Sequence, residues 1–327
     1  MRYFITGATG FVGGKVAEKL CAQGHEVIAL VRNPAKAQAL TSLGVELTPG
    51  DITDPASMRT PMRGVDGVYH IAGWYKIGTR DKANGIRINV EGTRNVLTLM
   101  QELAIPKGVY TSTLAVNSDT HGQEVDEHYH FTGRHLSVYD ETKWRAHYEV
   151  ANPLITQGLP LVIVQPGLIY GPGDQGPSRD AFAQYLQRTL PMLPQQTAYS
   201  WAHVDDVADA HIAAMDKGSA GASYIICGPS HTLIEGMQIA EQITGIKAPA
   251  LTAPPWLLRG MSGLMGVVER VIPLPATYTS EFLRVSAGVT YLGNNAKART
   301  ELGYQPRDLA TGLCETLPLL MQELGIK

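Results

Sequence analysis

From Tyr3 to Gly167, short apolar runs alternate with helical patterns, and this alternation restricts the chain more than any other feature. "YFIT" precedes the helical "GGKVAEKLCAQG". "EVIALV", a helix over "PAKAQALTSLG", "VELTPGD" and "GVDGVYHIAG" follow. The helical "NVEGTRNVLTLMQELA" leads to "GVYTST", and a helix opening at "SVYDETKWRAHYE" leads to "LPLVIVQPG". Strands joined through helices at this pitch predict a parallel sheet covered on both faces. Right-handed crossovers make that sheet doubly wound. After Gly167 the pattern loosens. Gly171–Thr197, rich in Pro, Gly and Gln, reads as a loop over a site. "HTLIEGMQIAEQITG" and "NNAKARTELGYQP" read as helices, the second capped by Asn294 or Asn295 and stopped by Gly303. "ASYIIC" reads as a strand, near 222–228, that can return to the main sheet.

Composition excludes several classes. With 44% apolar and 17% charged residues the chain is globular, and a net charge of −3 without a basic stripe argues against nucleic acid as a partner. Three scattered cysteines, Cys21, Cys227 and Cys314, fit a reducing compartment and read as core residues. No secretory leader is apparent, so a cytoplasmic location is expected. The most apolar stretch, Pro254–Pro275, is broken by Arg259 and Glu269 and is too short between them to span a bilayer. It reads as a helix near a pocket or on an interface, with peripheral membrane contact as the alternative.

The first strand–helix turn is "TGATGFVG", with glycines at 7, 10 and 13. Such a turn lets backbone approach a pyrophosphate, and the helix N-terminus supplies N–H donors. The fold expected is therefore α/β and Rossmann-type, with a nucleotide-binding unit over 1–166 and a smaller, partly interleaved α/β substrate region over 167–327. The second strand ends at Val31, where an acid would select NAD, and continues with Arg32 and Lys36. An arginine there can fork onto a 2′-phosphate, so NADP(H) is expected over NAD(H). A solvated surface arginine is the plain alternative. Asp51 in "GDITD" sits where an adenine amino group could donate to it, whereas Asp54 reads as a cap.

In this order the motifs resemble an extended short-chain dehydrogenase/reductase, over nearly the whole chain. "TGATGFVG" is similar to that family's nucleotide loop, "GDITD" to its adenine-side motif and "HIAG" to the segment under the cofactor. "NVEGTRNVL" carries the structural Asn89, and "VYTST", "YDETK" and "QPGLIYGPGD" follow in family order. The resemblance implies cofactor contacts from Gly7, Thr9, Gly10, Phe11, Val12, Gly13, Ile52, Ala72, Gly73, Thr111, Pro166, Gly167 and Ile169, besides Arg32, Lys36 and Asp51.

It also implies that Tyr139 exchanges a proton with the substrate oxygen and that Lys143 holds the nicotinamide ribose. Tyr139 and Lys143 lie one helical turn apart, so both can face one site. A phenol ordinarily titrates near 10. Lys143 and a cationic nicotinamide are both expected to favour its ionised form. Matching "VYTSTLAV" to the family favours Thr113 as the hydroxyl that holds the substrate, with Ser112 as the alternative. Trp74, Tyr75 and His203 are candidate pocket residues. Ser137 with Asp140 reads as the helix cap. His128, His130 and His135 lack accompanying ligands at convincing spacing, so no metal is expected.

The function implied is hydride transfer between nicotinamide and a carbonyl or secondary alcohol. It resembles the dihydroflavonol reductase, 3β-hydroxysteroid dehydrogenase and hopanoid-associated epimerase-like branches. A nucleotide-sugar epimerase or dehydratase is the alternative, disfavoured by Gln165 where sugar enzymes often carry arginine. A catalytically idle dinucleotide sensor is a further reading. The resemblance also implies a homodimer, paired through the helices Asn89–Ala104 and Val138–Gln157, with Val96, Met100 and Leu103 as an apolar stripe that could instead face this chain's own sheet.

Overall fold

The computed structural model describes residues 1–78, 81–275 and 278–326. Seven parallel strands form the main sheet. In chain order the first six are β1 (Arg2–Thr6), β2 (Glu26–Val31), β3 (Glu46–Pro49), β4 (Gly67–His70), β5 (Gly108–Thr111) and β6 (Leu161–Pro166). The seventh, Ser223–Ile226, returns from the C-terminal half and pairs with β6. Across the sheet the order is Ser223–Ile226, β6, β5, β4, β1, β2, β3. The order reverses at β1, which pairs with both β2 and β4. A crevice at the carboxyl ends of strands at such a switch point is where α/β sheets bind ligands.

The strands form because their side chains are apolar on both faces. Tyr3, Phe4, Ile5 and Thr6 are all buried, as expected of a central parallel strand. Two cores result. Val16, Ala17 and Leu20 of α1 (Phe11–Ala22) pack on one face with the helix Val204–Lys217. Val96, Leu97, Met100 and Val150 cover the other. Each fully buried aliphatic side chain contributes roughly 1.5–3 kcal/mol over an exposed one.

That second core decides between the two readings of the apolar stripe. Val96 and Met100 lie beneath this chain's own sheet, with Leu103 packed beside them, so the stripe offers nothing to a second copy. Two local expectations also change. "PAKAQALTSLG" is not one helix but a 3₁₀ turn, Pro34–Lys36, and a short helix, Gln38–Thr41. The Pro- and Gly-rich segment after Gly171 contains a helix, Pro177–Leu186. Proline at its first turn needs no N–H partner, and the Asp174 carboxylate accepts from Gly176 N, Ser178 Oγ and Arg179 N. Cys314 is exposed and not a core residue.

The C-terminal half adds a small sheet in which Ala198–His203 pairs with Leu168–Tyr170, Ser230–Thr232 and Thr290–Tyr291. No helix among the described residues is long and apolar enough to cross a membrane.

Candidate active site

The glycine turn is closed by its own backbone. Gly7 has φ +82°, and a Cβ there would lie 2.6 Å from Ala72 N; a Cβ on Gly13 would lie 2.2 Å from Gly7 O. Neither position tolerates a side chain. Gly10 caps α1 without a side-chain acceptor, and no acid occupies the first turn. The α1 N-terminus thus keeps its N–H donors and its dipole for an anion, which fits a dinucleotide pyrophosphate. Thr9 and Gly10 are exposed there, Phe11 is half-buried and Val12 points into the core.

At the end of β2, Val31 is buried, while Arg32 and Lys36 are both exposed at the carboxyl edge. Asp51 is half-buried nearby. Burial works upward on its carboxyl, but hydrogen bonds from Thr53 N and Oγ1, both 2.8 Å, with Arg32 and Arg87, hold it below the ordinary value. Ile52 is buried and its carbonyl accepts from Asn95. Asp54 caps the next helix through Ala56 N.

The ends of β1, β4 and β5 are bolted by buried histidines. Thr6 Oγ1 accepts from Ala72 N and lies 2.8 Å from His70 Nδ1, while His70 Nε2 lies 2.9 Å from Thr93 Oγ1. His211 Nδ1 can only donate to the Val207 carbonyl, so its Nε2 accepts from the Thr111 hydroxyl. Ser112 Oγ is 2.8 Å from His147 Nδ1. Burial lowers these imidazoles to about 3, 4 and 3 respectively, so all are neutral at physiological pH.

These bolts decide which hydroxyls remain available. Those of Thr111 and Ser112 are taken by histidines. Thr113 Oγ1 accepts from Ala115 N and lies near enough to the Tyr139 phenol to pull its pKa down. Thr111 contributes its carbonyl, which accepts from Lys143 Nζ at 2.7 Å.

Tyr139 and Lys143 lie on the helix Val138–Arg145, capped as expected by Ser137 Oγ on Asp140 N. Lys143 Nζ also donates to Tyr110 OH at 3.3 Å, leaving one N–H uncommitted. Asn89 ties this helix to the cofactor-side segment: its amide accepts from Trp74 N and donates to Trp74 O and Thr142 Oγ1. A Cβ on Gly73 would lie 4.0 Å from Lys143 Nζ. Gly167 admits no Cβ, since one would lie 2.0 Å from Ser200 O, and with Pro166 and Ile169 it continues from β6.

In the protein without cofactor the electrostatics run the other way. Burial pushes the Tyr139 phenol up to about 12, partly offset by Thr113, with the Asp140 charge adding to the rise. Burial lowers Lys143 to about 7. Lys143 does not bring the phenol down in the protein alone, because desolvation penalises both charged forms.

Some residues around Tyr139 are candidates in the sequence and others carry no signal there. Tyr75, a candidate, exposes 44% of its surface, yet its ring stands edge-on to Tyr139 at 4.6 Å, and burial raises its pKa well above the ordinary value. Asp140 is buried, with Oδ1 accepting from Ser137 Oγ at 2.8 Å and Oδ2 from Tyr291 OH at 3.1 Å. Tyr291 stacks on Tyr199. Glu281 Oε1 accepts from Val138 N at 2.9 Å. Tyr199, Glu281 and Tyr291 lie in stretches with no sequence reading, and no spacing rule joins them to Tyr139. Trp74 is buried beneath Gly85. His203 instead caps the helix Val204–Lys217, with Tyr170 and Glu315 as neighbours, and has no recorded contact with Tyr139 among the described residues. His130 stands edge-on to Tyr148, and His135 packs on Trp144.

Comparison with known proteins agrees with this geometry. The chain is 31% identical over 324 residues to a candidate dihydroflavonol 4-reductase of Synechocystis sp., covering 96% of this chain and 93% of that protein. It is 30% identical over 314 residues to sterol demethylase protein B of Methylococcus capsulatus, covering 94% of each. A crystal structure of a protein called gox2253 superposes with a TM-score of 0.86 at 30% identity over 99% of both chains. UDP-glucose 4-epimerase of Thermotoga maritima shares the fold, with a TM-score of 0.78 at 19% identity over 99% of this chain and 100% of that one. The model of the NAD dependent epimerase/dehydratase family matches residues 3–227. Given that match and relatives aligned along nearly its whole length, the protein belongs to this family, in its extended short-chain dehydrogenase/reductase branch, and is an NAD(P)-dependent enzyme.

Proposed function

We propose that the protein is an NADP(H)-dependent reductase or dehydrogenase acting on a carbonyl or secondary alcohol of largely apolar character. The Tyr139 phenol beside the Thr113 hydroxyl, with Lys143 buried one turn behind, carries this reading. Bound nicotinamide supplies or accepts the hydride. Tyr139 gives its proton to the substrate oxygen in reduction and takes it back in oxidation. The Thr113 hydroxyl holds the same oxygen. Lys143, fixed by the Thr111 carbonyl and the Tyr110 hydroxyl, keeps an N–H for the ribose and an ammonium charge that favours the phenolate as it forms.

The cofactor preference rests on buried Val31, which offers no acceptor to ribose hydroxyls, and on exposed Arg32 and Lys36. The apolar substrate class rests on aromatic surfaces beside Tyr139, from Tyr75, Tyr199 and Tyr291. It also rests on relatives named for sterol, hydroxysteroid and farnesyl-quinoline-oxide chemistry.

The deciding experiment incubates purified protein with NADPH and a panel of ketones, and with NADP⁺ or NAD⁺ and secondary alcohols or nucleotide sugars. Ketone reduction is expected. Turnover of nucleotide sugars alone would establish the epimerase reading instead, and tight cofactor binding without any turnover would establish a sensor. A homodimer, read by sedimentation, would have to use surfaces other than the Val96–Met100 stripe.

A further inference from the structure

The helix Pro255–Val268 is oriented opposite to an ordinary surface helix. Only Leu258 of it is buried. Its outward residues are Trp256 (72% exposed), Leu257, Met261, Leu264 (61%) and Val267 (61%), and Val271 (83%) and Ile272 follow directly. At 100° per residue, Trp256, Leu257, Met261, Leu264, Val267 and Val271 fall within one arc of about 140°. The inward face sets Leu258 and Met265 on Leu283 and Ala287, and is otherwise small and polar. Ser262 Oγ donates to the Ser280 carbonyl at 2.7 Å, Gly266 faces Ser280, and Glu269 accepts from Ser280 N and Oγ. Of the fifteen exposed large hydrophobic residues described, nine lie between Leu251 and Tyr278. That concentration separates this face from the scattered apolar residues of any protein surface.

Charge selects the occupant. The stretch carries three charged residues, Arg259, Glu269 and Arg270. Glu269 is turned inward onto Ser280, whereas Arg259 and Arg270 are exposed on one flank of the apolar arc; Arg259 also reaches the Ala287 carbonyl at 3.4 Å. A second copy packed antiparallel on this face would bring the two cationic flanks to one side, with no outward acid on this stretch to pair them. An anionic lipid surface matches both features, apolar side chains for the acyl boundary and arginines for the phosphates.

We propose that the outward face of the helix Pro255–Val268 docks in the plane of an anionic lipid bilayer. Trp256, Leu264 and Val267 enter the headgroup–acyl boundary, and Arg259 and Arg270 lie at the phosphates. The face is joined to the site. Ser280, which holds Ser262 and Glu269, precedes Glu281, whose carboxylate accepts from Val138 N beside Tyr139. Docking therefore sets the segment that holds the Tyr139 helix next to the lipid-facing helix, which suits a substrate drawn from the lipid. This purpose, though not the docking itself, rests on the apolar-carbonyl reading above.

The test is flotation of the full chain with vesicles of phosphatidylcholine alone and with vesicles containing about one-third phosphatidylglycerol. The protein is expected to float with the anionic vesicles, less so in high salt. Leu264→Glu combined with Val267→Glu is expected to reduce partitioning by about tenfold or more. Both positions are exposed, so the substitutions spare the core, and a circular-dichroism melt checks this. Failure of the wild type to float with anionic vesicles would overturn the proposal. So would a doubly substituted variant that floats as well as wild type, or a dimer dispersed by the same substitutions in a protein that does not float. Turnover of a water-soluble ketone is measured alongside. Its absence with flotation intact sinks the reductase reading and leaves the docking surface standing.

Discussion

Replacing Asp140 with asparagine should make the protein more stable at alkaline pH, although the residue is buried beside Tyr139. Burial raises the Asp140 carboxyl from 3.8 to about 7, against the pull of Ser137 and Tyr291, and nearby Glu281 adds to the rise. Below 3.8 the group is protonated in both folded and unfolded chains and costs nothing. Between 3.8 and about 7 the unfolded chain releases the proton while the folded one keeps it, so stability falls as pH rises; above 7 the loss is complete. Each tenfold in proton affinity is worth about 1.4 kcal/mol, which bounds the loss at about 4 kcal/mol. Glu281 competes for the same proton, so ~2 kcal/mol is the magnitude to expect from Asp140 alone. Asparagine keeps one acceptor oxygen for Ser137 or Tyr291 and carries no charge. For 327 residues, ~2 kcal/mol corresponds to a Tm gain of about 3 °C. Thermal scans at one fixed rate, from pH 5 to pH 9, should show the gain of Asp140→Asn growing up to about pH 7 and level beyond. A gain independent of pH, or a variant less stable than wild type at pH 8, would refute the buried-acid argument.

Tyr139→Phe should leave the cofactor dissociation constant nearly unchanged and lower turnover by about 10²-fold or more; wild-type turnover with hydride transfer rate-limiting would remove Tyr139 from the chemistry. Thr113→Val should reduce turnover with little effect on melting, whereas Ser112→Ala should mainly destabilise, by about 1–3 kcal/mol, because His147 Nδ1 is left without its partner. The opposite pattern would hand the substrate oxygen to Ser112. Titration at fixed ionic strength should show about a tenfold or greater preference for NADP(H), reversed by Val31→Asp with Arg32→Asn. Equal or tighter binding of NAD would defeat the Arg32 reading.

Features governed by local rules were legible in the sequence. Strand pitch, the glycine turn, the Ser137 cap and the Gly303 stop, at φ +73°, depend on neighbours within a few residues. The side-chain setting of Tyr139 was not legible, because it is assembled across the chain. His211 reaches Thr111 over 100 positions, Glu281 reaches Val138 over 143, and Tyr291 reaches Asp140 over 151. The apolar stripe at Val96 and Met100 is ambiguous in the sequence for a related reason. Periodicity shows that a helix has an apolar face, but not whether that face meets its own sheet or another molecule.

The same distinction bears on the direction of the reaction. Motif spacing places Tyr139 beside Lys143 and leads to the expectation of a ready phenolate. The folded environment reverses the balance, holding the phenol near 12 and the lysine near 7. At neutral pH the protein alone therefore presents a protonated Tyr139, the form required to donate to a carbonyl oxygen as hydride arrives. Alcohol oxidation needs the deprotonated form and must first overcome the desolvation of Tyr139. The cationic ring of an oxidised nicotinamide would lower that barrier for oxidation, without changing which form each direction consumes. Reduction should accordingly hold its rate through neutral pH, while oxidation climbs into the alkaline range. The check is a pair of pH–rate profiles with the same ketone and its alcohol. An oxidation profile already at its plateau below pH 7 would mean that Tyr139 is ionised in the working site, and that burial does not control its proton.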